Sequence, residues 1–203
     1  MILPSDAAGR TTHTVGYFET HSVQLANWIK EIERRSTTVK PREKLCNLLA
    51  DVLSSRIPET GDRRDLLIPL GQWTALLNNA SAGTDLGPLP WKAPDVLSSR
   101  AIKAVSSYGF EHPSVMFEVY DPACPGPLHS RRLIRAACDR GRWSFGTEGE
   151  PFDFEEVENY SKRRIRDRFT PEMLERYLRA LGVPMLESAD APIEGAILVA
   201  SEG

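Results

Sequence analysis

The apolar positions of residues 22–58 recur with the period of an α-helix. Ser22 can cap a first helix, and Pro41 can open a second helix that ends before Pro58. The apolar stripe of the first helix consists of Leu25, Trp28, Ile29 and Ile32. The broader apolar face of the second helix consists of Leu45, Leu48, Leu49, Val52 and Leu53. The pattern predicts an N-terminal pair of helices.

The two ends of the chain have weaker patterns. Residues 1–20 are polar and lack a clear period, which favours a loosely held arm. Val15, Tyr17 and Phe18 leave open a short strand within that arm. The tail of residues 185–203 ends in a small, apolar run, which is compatible with an added strand and equally with a disordered end.

Short apolar runs bounded by Gly, Pro or Asp indicate β-strands across residues 65–146. Residues 139–142 have the composition of a tight hairpin turn. Strands that follow one another without intervening helices pair antiparallel, so this region predicts a meander of about six strands. Pro69 lacks a backbone N–H and therefore indicates that the first strand is an edge strand or ends early.

The charges of the C-terminal part are segregated along the chain. Acidic residues are concentrated between Glu148 and Glu158, and basic residues lie in 162–168, an arrangement that suits a helix dipole. Thr170 can cap a further helix that Gly182 ends. The buried face predicted for this further helix consists of Met173, Leu174, Tyr177, Leu178 and Leu181. The predicted fold class is α+β, with an N-terminal helix pair, a central antiparallel sheet of about six strands and two C-terminal helices.

Length and composition suit one folded domain spanning residues 1–203. Hydrophobic residues make up 41% of the chain and charged residues 26%, as folded proteins require. The net charge of −3 makes nucleic acid an unfavourable partner. The sequence shows neither a secretory signal nor a membrane-spanning run, so we predict a cytoplasmic location and no membrane partner.

Candidate catalytic groups do not form a recognisable constellation in the sequence. The histidines fall in predicted loops, and the cysteines lack the spacing of a zinc site and are predicted to be free thiols. These residues are His13, His21, His112, His129, Cys46, Cys124 and Cys138. We therefore predict no catalytic residues, no bound metal and no cofactor. One alternative stays open, a metal-dependent hydrolase or nuclease in which Asp85 and Glu118 supply oxygen ligands.

Binding residues are predicted in two places. Residues 78–94 are rich in Pro and small residues, which indicates a long loop of the kind that often carries function. Asp85 and Trp91 lie in this loop, whereas Trp73 and Trp143 lie in strands and are predicted to pack in the core. The second place is a run of basic residues that is predicted to be a solvated helix end with ion pairs. Its predicted protein-binding residues are Arg163, Arg164, Arg166 and Arg168.

The residues from 66 to 184 resemble a set of uncharacterised bacterial proteins. The resemblance is carried by residues 72–79, 83–85, 117–122 and 131–184, in that order and spacing. Small bacterial proteins of this kind are similar in size and build to immunity proteins of polymorphic toxin systems. The resemblance implies that the chain binds another protein, such as a toxin, as an immunity-like or antitoxin-like partner.

Overall fold

The computed structural model describes residues 13–33, 35–53, 63–79, 86–107 and 112–200. Its main element is a sheet of nine strands whose neighbours all pair antiparallel. The strands are β1 (Thr14–Phe18), β2 (Ser36–Val39), β3 (Glu43–Lys44), β4 (Arg64–Leu70), β5 (Trp73–Asn78), β6 (Ala101–Ser106), β7 (Ser114–Tyr120), β8 (Ser130–Asp139), β9 (Arg142–Glu148), β10 (Pro192–Ile193) and β11 (Ile197–Ala200). The order across the sheet is β2-β11-β4-β5-β1-β6-β7-β8-β9, and β3 and β10 form a separate two-stranded ladder.

Helices cover both faces of this sheet. They are α1 (Ser22–Glu33), α2 (Leu45–Leu53), α3 (Leu89–Leu97) and α4 (Pro171–Ala180). On one face, α1 and α3 enclose an apolar cluster that includes Phe18 and Leu76. On the other face, α2, α4 and the chain before α4 enclose a larger cluster that includes Tyr17 and Trp73. No helix within the described ranges has the length and apolar character needed to cross a membrane.

The predicted fold class is wrong in its number of strands and in its helices. Six strands, β4–β9, lie where the meander was predicted, but β1, β2 and β11 join the same sheet. The two N-terminal helices do not form a pair, because α1 and α2 pack on opposite faces. The second helix also begins four residues later than Pro41, since Glu43 and Lys44 pair with β10.

The described part of the predicted loose arm is a central strand. β1 pairs with β5 on one side and with β6 on the other. Val15, Tyr17 and Phe18 have no exposed surface, so the strand interpretation is confirmed for them. Because both faces of β1 are buried, its sequence lacks the alternation of polar and apolar residues that marks a half-exposed strand. Residues 1–12 lie outside the described residues.

The C-terminal tail contributes β10 and the interior strand β11. β11 lies between β2 and β4 and pairs with four residues of each. Its pairing with β4 ends at Leu67, so Pro69 lies beyond the end of β11 and no ladder N–H is needed there. The interpretation of β4 as an edge strand was therefore wrong.

The two predicted C-terminal helices have different outcomes. α4 is confirmed: the backbone N–H of Met173 donates to the Thr170 hydroxyl oxygen at 3.4 Å, and Gly182 follows the helix end with a φ of 79°. The predicted helix before it is wrong. Residues 153–168 contain two short 3₁₀ turns, Val157–Ser161 and Ile165–Asp167. The buried Glu155 carboxylate, which binds Arg132, Phe152 N–H and Tyr160, fixes the start of this segment in a non-helical path.

Candidate binding surface

The predicted loop site is only partly visible in the structure. Asp85 lies outside the described residues. Trp91 lies on α3 and not in a loop, so the loop prediction is wrong from Leu89 onwards. The Trp91 ring is half-buried, and the Lys92 ammonium lies 5.2 Å from its centroid.

The predicted arginines lie on the opposite side of the sheet from Trp91. α3 packs with the cluster around Phe18, whereas Phe169, directly after the arginine run, is fully buried in the cluster around Tyr17. Trp91 and the arginines therefore do not form one surface. Arg163, Arg164 and Arg166 are exposed, as a binding role requires.

Arg168 differs from the other three arginines. Its guanidinium lies 5.7 Å from the ring centroid of Phe145, and its Nε donates a hydrogen bond of 2.8 Å to the carbonyl of Lys162. These contacts hold the arginine segment against β9. Arg168 therefore positions this segment, and its direct contact with a partner stays a prediction.

The exposed arginines line an open groove with a tryptophan. The groove has a volume of about 490 Å³ and is lined by Trp143, Arg164, Ile165 and Arg166, which we call the basic groove. Trp73 is completely buried, as predicted, but Trp143 is half-buried and contributes to this surface. Trp143 also packs against the cluster around Tyr17, in line with the core prediction. The sequence interpretation missed only its contribution to the groove, because a tryptophan in a strand is most often a core residue.

A tight hairpin positions Trp143. The predicted turn is confirmed, with Arg140 and Gly141 at φ values of 48° and 77° between Asp139 and Arg142. These two positive φ values are typical of a type I′ turn, the two-residue turn that suits the twist of paired strands. Trp143 therefore lies one residue from the start of β9, at the edge of the sheet.

A buried carboxylate fixes the segment that precedes the arginines. Glu155 accepts hydrogen bonds of 2.9 and 2.7 Å from the guanidinium of Arg132, 3.0 Å from the backbone N–H of Phe152 and 2.8 Å from the hydroxyl of Tyr160. Burial, together with hydrogen bonds to Tyr177 and Glu155, raises the pKa of Tyr160, so its hydroxyl stays protonated. The ring of Tyr160 packs on Phe145 with a centroid distance of 5.3 Å. This network joins the segment before the arginines to β8 and β9.

The charge of the basic groove is not neutralised locally. Arg163 and Arg164 make no ion pair with a carboxylate of the described residues, and the contact of Arg166 with Asp167 is long at 3.7 Å. The acids upstream are used elsewhere: Glu155 binds Arg132, and Glu156 binds Arg176. The predicted helix end is wrong, and of the predicted ion pairs the described residues show the one between Arg166 and Asp167. The exposed guanidinium groups of Arg163 and Arg164 leave positive charge at this surface of a chain whose net charge is negative.

The alternative metal site has one ligand within the described residues. Glu118 of β7 is nearly buried; its carboxylate accepts a hydrogen bond of 2.7 Å from Tyr120 and lies 3.4 Å from the ammonium of Lys103. Burial and the negative charge of Glu118 raise the pKa of Tyr120. The Lys103 ammonium thus already supplies a cation at this carboxylate. No cluster of three potential metal ligands occurs within residues 13–33, 35–53, 63–79, 86–107 and 112–200.

Comparisons with protein-family models, with curated proteins and with solved structures gave no significant match for this chain.

Proposed function

We propose that this chain is a protein-binding protein whose basic groove accepts an acidic segment of another protein. The observation that supports this proposal most directly is the open groove of about 490 Å³ lined by Trp143, Ile165 and two arginines. Arg164 has no carboxylate partner among the described residues and Arg166 has only the long contact with Asp167, so both can attract anionic groups, and a half-buried tryptophan adds apolar contact area. Arg and Trp are the residue types most enriched among energetically dominant interface contacts.

The chemistry of the groove specifies the partner. Each guanidinium can donate two parallel hydrogen bonds to one carboxylate, which favours Glu or Asp over a neutral side chain. The Trp143 ring and Ile165 offer an apolar floor between these charges. The best-suited segment therefore carries acidic side chains that flank an apolar one.

The proposal extends to an immunity-like or antitoxin-like protein of the bacterial cytoplasm that binds a toxin. A small sheet protein with a charged groove suits a role in which binding alone neutralises the partner. The alternative of a metal-dependent hydrolase has weaker support, since the Glu118 carboxylate lies against an ammonium group.

The proposal can be tested with a labelled acidic peptide that alternates Glu and Leu, followed by fluorescence anisotropy at low and at physiological salt. We expect saturable binding that weakens with salt, because the interaction is largely electrostatic. The variant Arg164→Glu/Arg166→Glu should lower the affinity at least about tenfold, and Trp143→Ala should lower it at both salt concentrations.

Arg135→Glu is the matched control, because Arg135 is exposed on β8 but lies on the opposite face from Ile134 and Ala136, which are buried. This variant reverses one charge away from the groove, compared with two in the groove variant, and should bind as the wild type does. A single-stranded oligonucleotide of equal length serves as a second probe. The proposal would be contradicted if the oligonucleotide bound more tightly than the peptide. It would also be contradicted if Arg135→Glu and the groove variant lost equal affinity for the peptide.

A further inference from the structure

β9 is the last strand on its side of the described sheet. The hairpin that joins it to β8 determines which backbone groups of β9 bond to β8 and which point away from the sheet. The residues that flank a two-residue turn form a hydrogen-bonded pair, so Asp139 and Arg142 bond to each other. An independent contact agrees: the N–H of Cys138 donates to the carbonyl of Pro113 at 2.8 Å, on the side away from β9. Alternate backbone groups of β9 therefore point towards β8, and those of Phe145 and Thr147 point outwards.

The two edges of the sheet differ in how well they resist a further strand. β2, at the other edge, has four residues and is followed by Pro41. β9 has seven residues and contains neither Pro nor Lys, two residue types that proteins commonly place on edges to prevent strand addition. The chain that follows β9 turns over the α4 face instead of along the edge, because the carbonyls of Glu148 and Gly149 accept hydrogen bonds from the buried Arg132 guanidinium.

We infer that β9 pairs antiparallel with β9 of a second copy of this chain, around a two-fold axis at Phe145. With the axis at Phe145, the outward-pointing backbone groups of the two strands bond to each other. This position of the axis also pairs every residue of β9. It places Arg142 opposite Glu148 of the second copy, and Glu148 opposite its Arg142. The sequence of β9 is therefore complementary to itself in charge when the strand is reversed.

The remaining positions of β9 fit the same register. Phe145 faces Phe145 across the axis, Trp143 faces Thr147 and Ser144 faces Gly146, so no pair of like charges arises along the strand. The Arg142 and Glu148 side chains lie on the face opposite Trp143, because residues alternate along a strand. The basic groove stays on the other face, and the two grooves of the dimer lie side by side on one continuous sheet.

The test measures the mass of the full chain by sedimentation velocity from micromolar to several hundred micromolar. We expect a concentration-dependent species of twice the 22.7 kDa chain mass. Arg142→Glu and Glu148→Arg should each raise the dimer dissociation constant at least tenfold, because each puts like charges opposite one another twice in the dimer. The double variant restores opposite charges and should return to within about threefold of the wild type.

A backbone variant tests the edge directly. Thr147→Pro removes an outward N–H and leaves the β8 ladder intact, so it should abolish the dimer, while Thr147→Ala keeps the N–H and should not. Circular dichroism and the melting temperature establish that each variant is folded. Any of three results would overturn the inference. The wild type could stay monomeric at the highest concentration, the double charge variant could dimerise no more tightly than the single ones, or the dimer could survive Thr147→Pro.

The inference and the proposed function can fail separately. The Arg164→Glu/Arg166→Glu variant should dimerise as the wild type does, since neither side chain lies on the edge. A monomeric Thr147→Pro chain should still bind the acidic peptide with the same affinity per groove.

Discussion

At the scale of single residues, His129 has the most informative geometry. Its Nε2 lies 2.7 Å from the Asp95 carboxylate, and its Nδ1 lies 2.8 Å from the carbonyl of Cys124. Both partners are acceptors, so both ring nitrogens must donate, which requires the protonated imidazolium. The hydrogen bond that His129 donates to Asp95 raises the pKa of His129, although burial opposes this increase. This contact joins α3 to the loop between β7 and β8.

His129 predicts a pH dependence of stability with a definite sign. The folded state raises the pKa of His129 above its unfolded-state value of about 6.5. The stabilisation that protonated His129 gives the fold is therefore complete below the unfolded-state pKa and is lost as pH rises through the folded-state pKa. The difference in melting temperature between the wild type and His129→Asn should therefore be larger at pH 5.5 than at pH 9. Asn tolerates the positive φ of 50° at this position, so the substitution adds no backbone strain, and the comparison between the two pH values reports on the charge. Equal differences at both pH values would show that the imidazolium contributes nothing.

At the scale of elements, the segment from Phe152 to Arg168 shows why charge segregation alone does not make a helix. The Glu155 carboxylate is completely buried and takes four hydrogen bonds, one of them from the backbone of Phe152. The rings of Phe154, Phe169 and Tyr177 pack around this turn, with centroid distances of 5.5 and 5.7 Å to Tyr177. Side-chain burial therefore takes precedence over the helix dipole here.

The buried pair of Arg132 and Glu155 predicts a large effect of a small substitution. Glu155→Gln leaves the Arg132 guanidinium buried without a counter-charge, so the free energy of unfolding should fall by about 3–5 kcal/mol. Urea denaturation measures this loss. Asp190→Asn is the control, since it breaks the exposed pair with Lys44 and should cost less than about 1 kcal/mol. Arg132→Met/Glu155→Leu should recover part of the loss, and a Glu155→Gln effect no larger than that of the control would contradict the argument.

At the scale of the whole molecule, strand order departs from chain order at two places. β1 lies between β5 and β6, and β11 lies between β2 and β4. The first and last described strands thus each join parts of the chain that are distant in sequence. The sheet cannot be completed until both ends are in place.

This topology predicts the pattern of amide hydrogen exchange. Amides of β1, buried between two strands and under helices on both faces, should exchange at the rate of global unfolding. Amides of β2, which is largely exposed at an edge, should exchange faster. Exchange detected by mass spectrometry distinguishes the two, and similar rates for β1 and β2 would mean that the sheet centre opens locally.

Local patterns in the sequence were sufficient for several elements. The apolar residues at helical spacing after Ser22 predict α1, and the cap at Thr170 predicts α4. The turn composition after Asp139 predicts the hairpin. Each of these depends on contacts between residues close in sequence, so the pattern and the structure agree. For the candidate surface, the sequence identified Arg164 and Arg166 but placed them on a helix, and it assigned Trp143 to the core.

The sequence by itself determined where most strands and three of the helices occur, because the period of apolar residues and the chemistry of caps and turns act over a few positions. Only the tertiary structure decided that β1 is central, that β11 is inserted and that Trp143 lines a groove. Strand neighbours are selected by pairing between distant segments, and a strand buried on both faces has no alternation to reveal it. Trp143 lines the groove because β9 lies at the edge of the sheet and because the tertiary fold brings Arg164, Ile165 and Arg166 beside it.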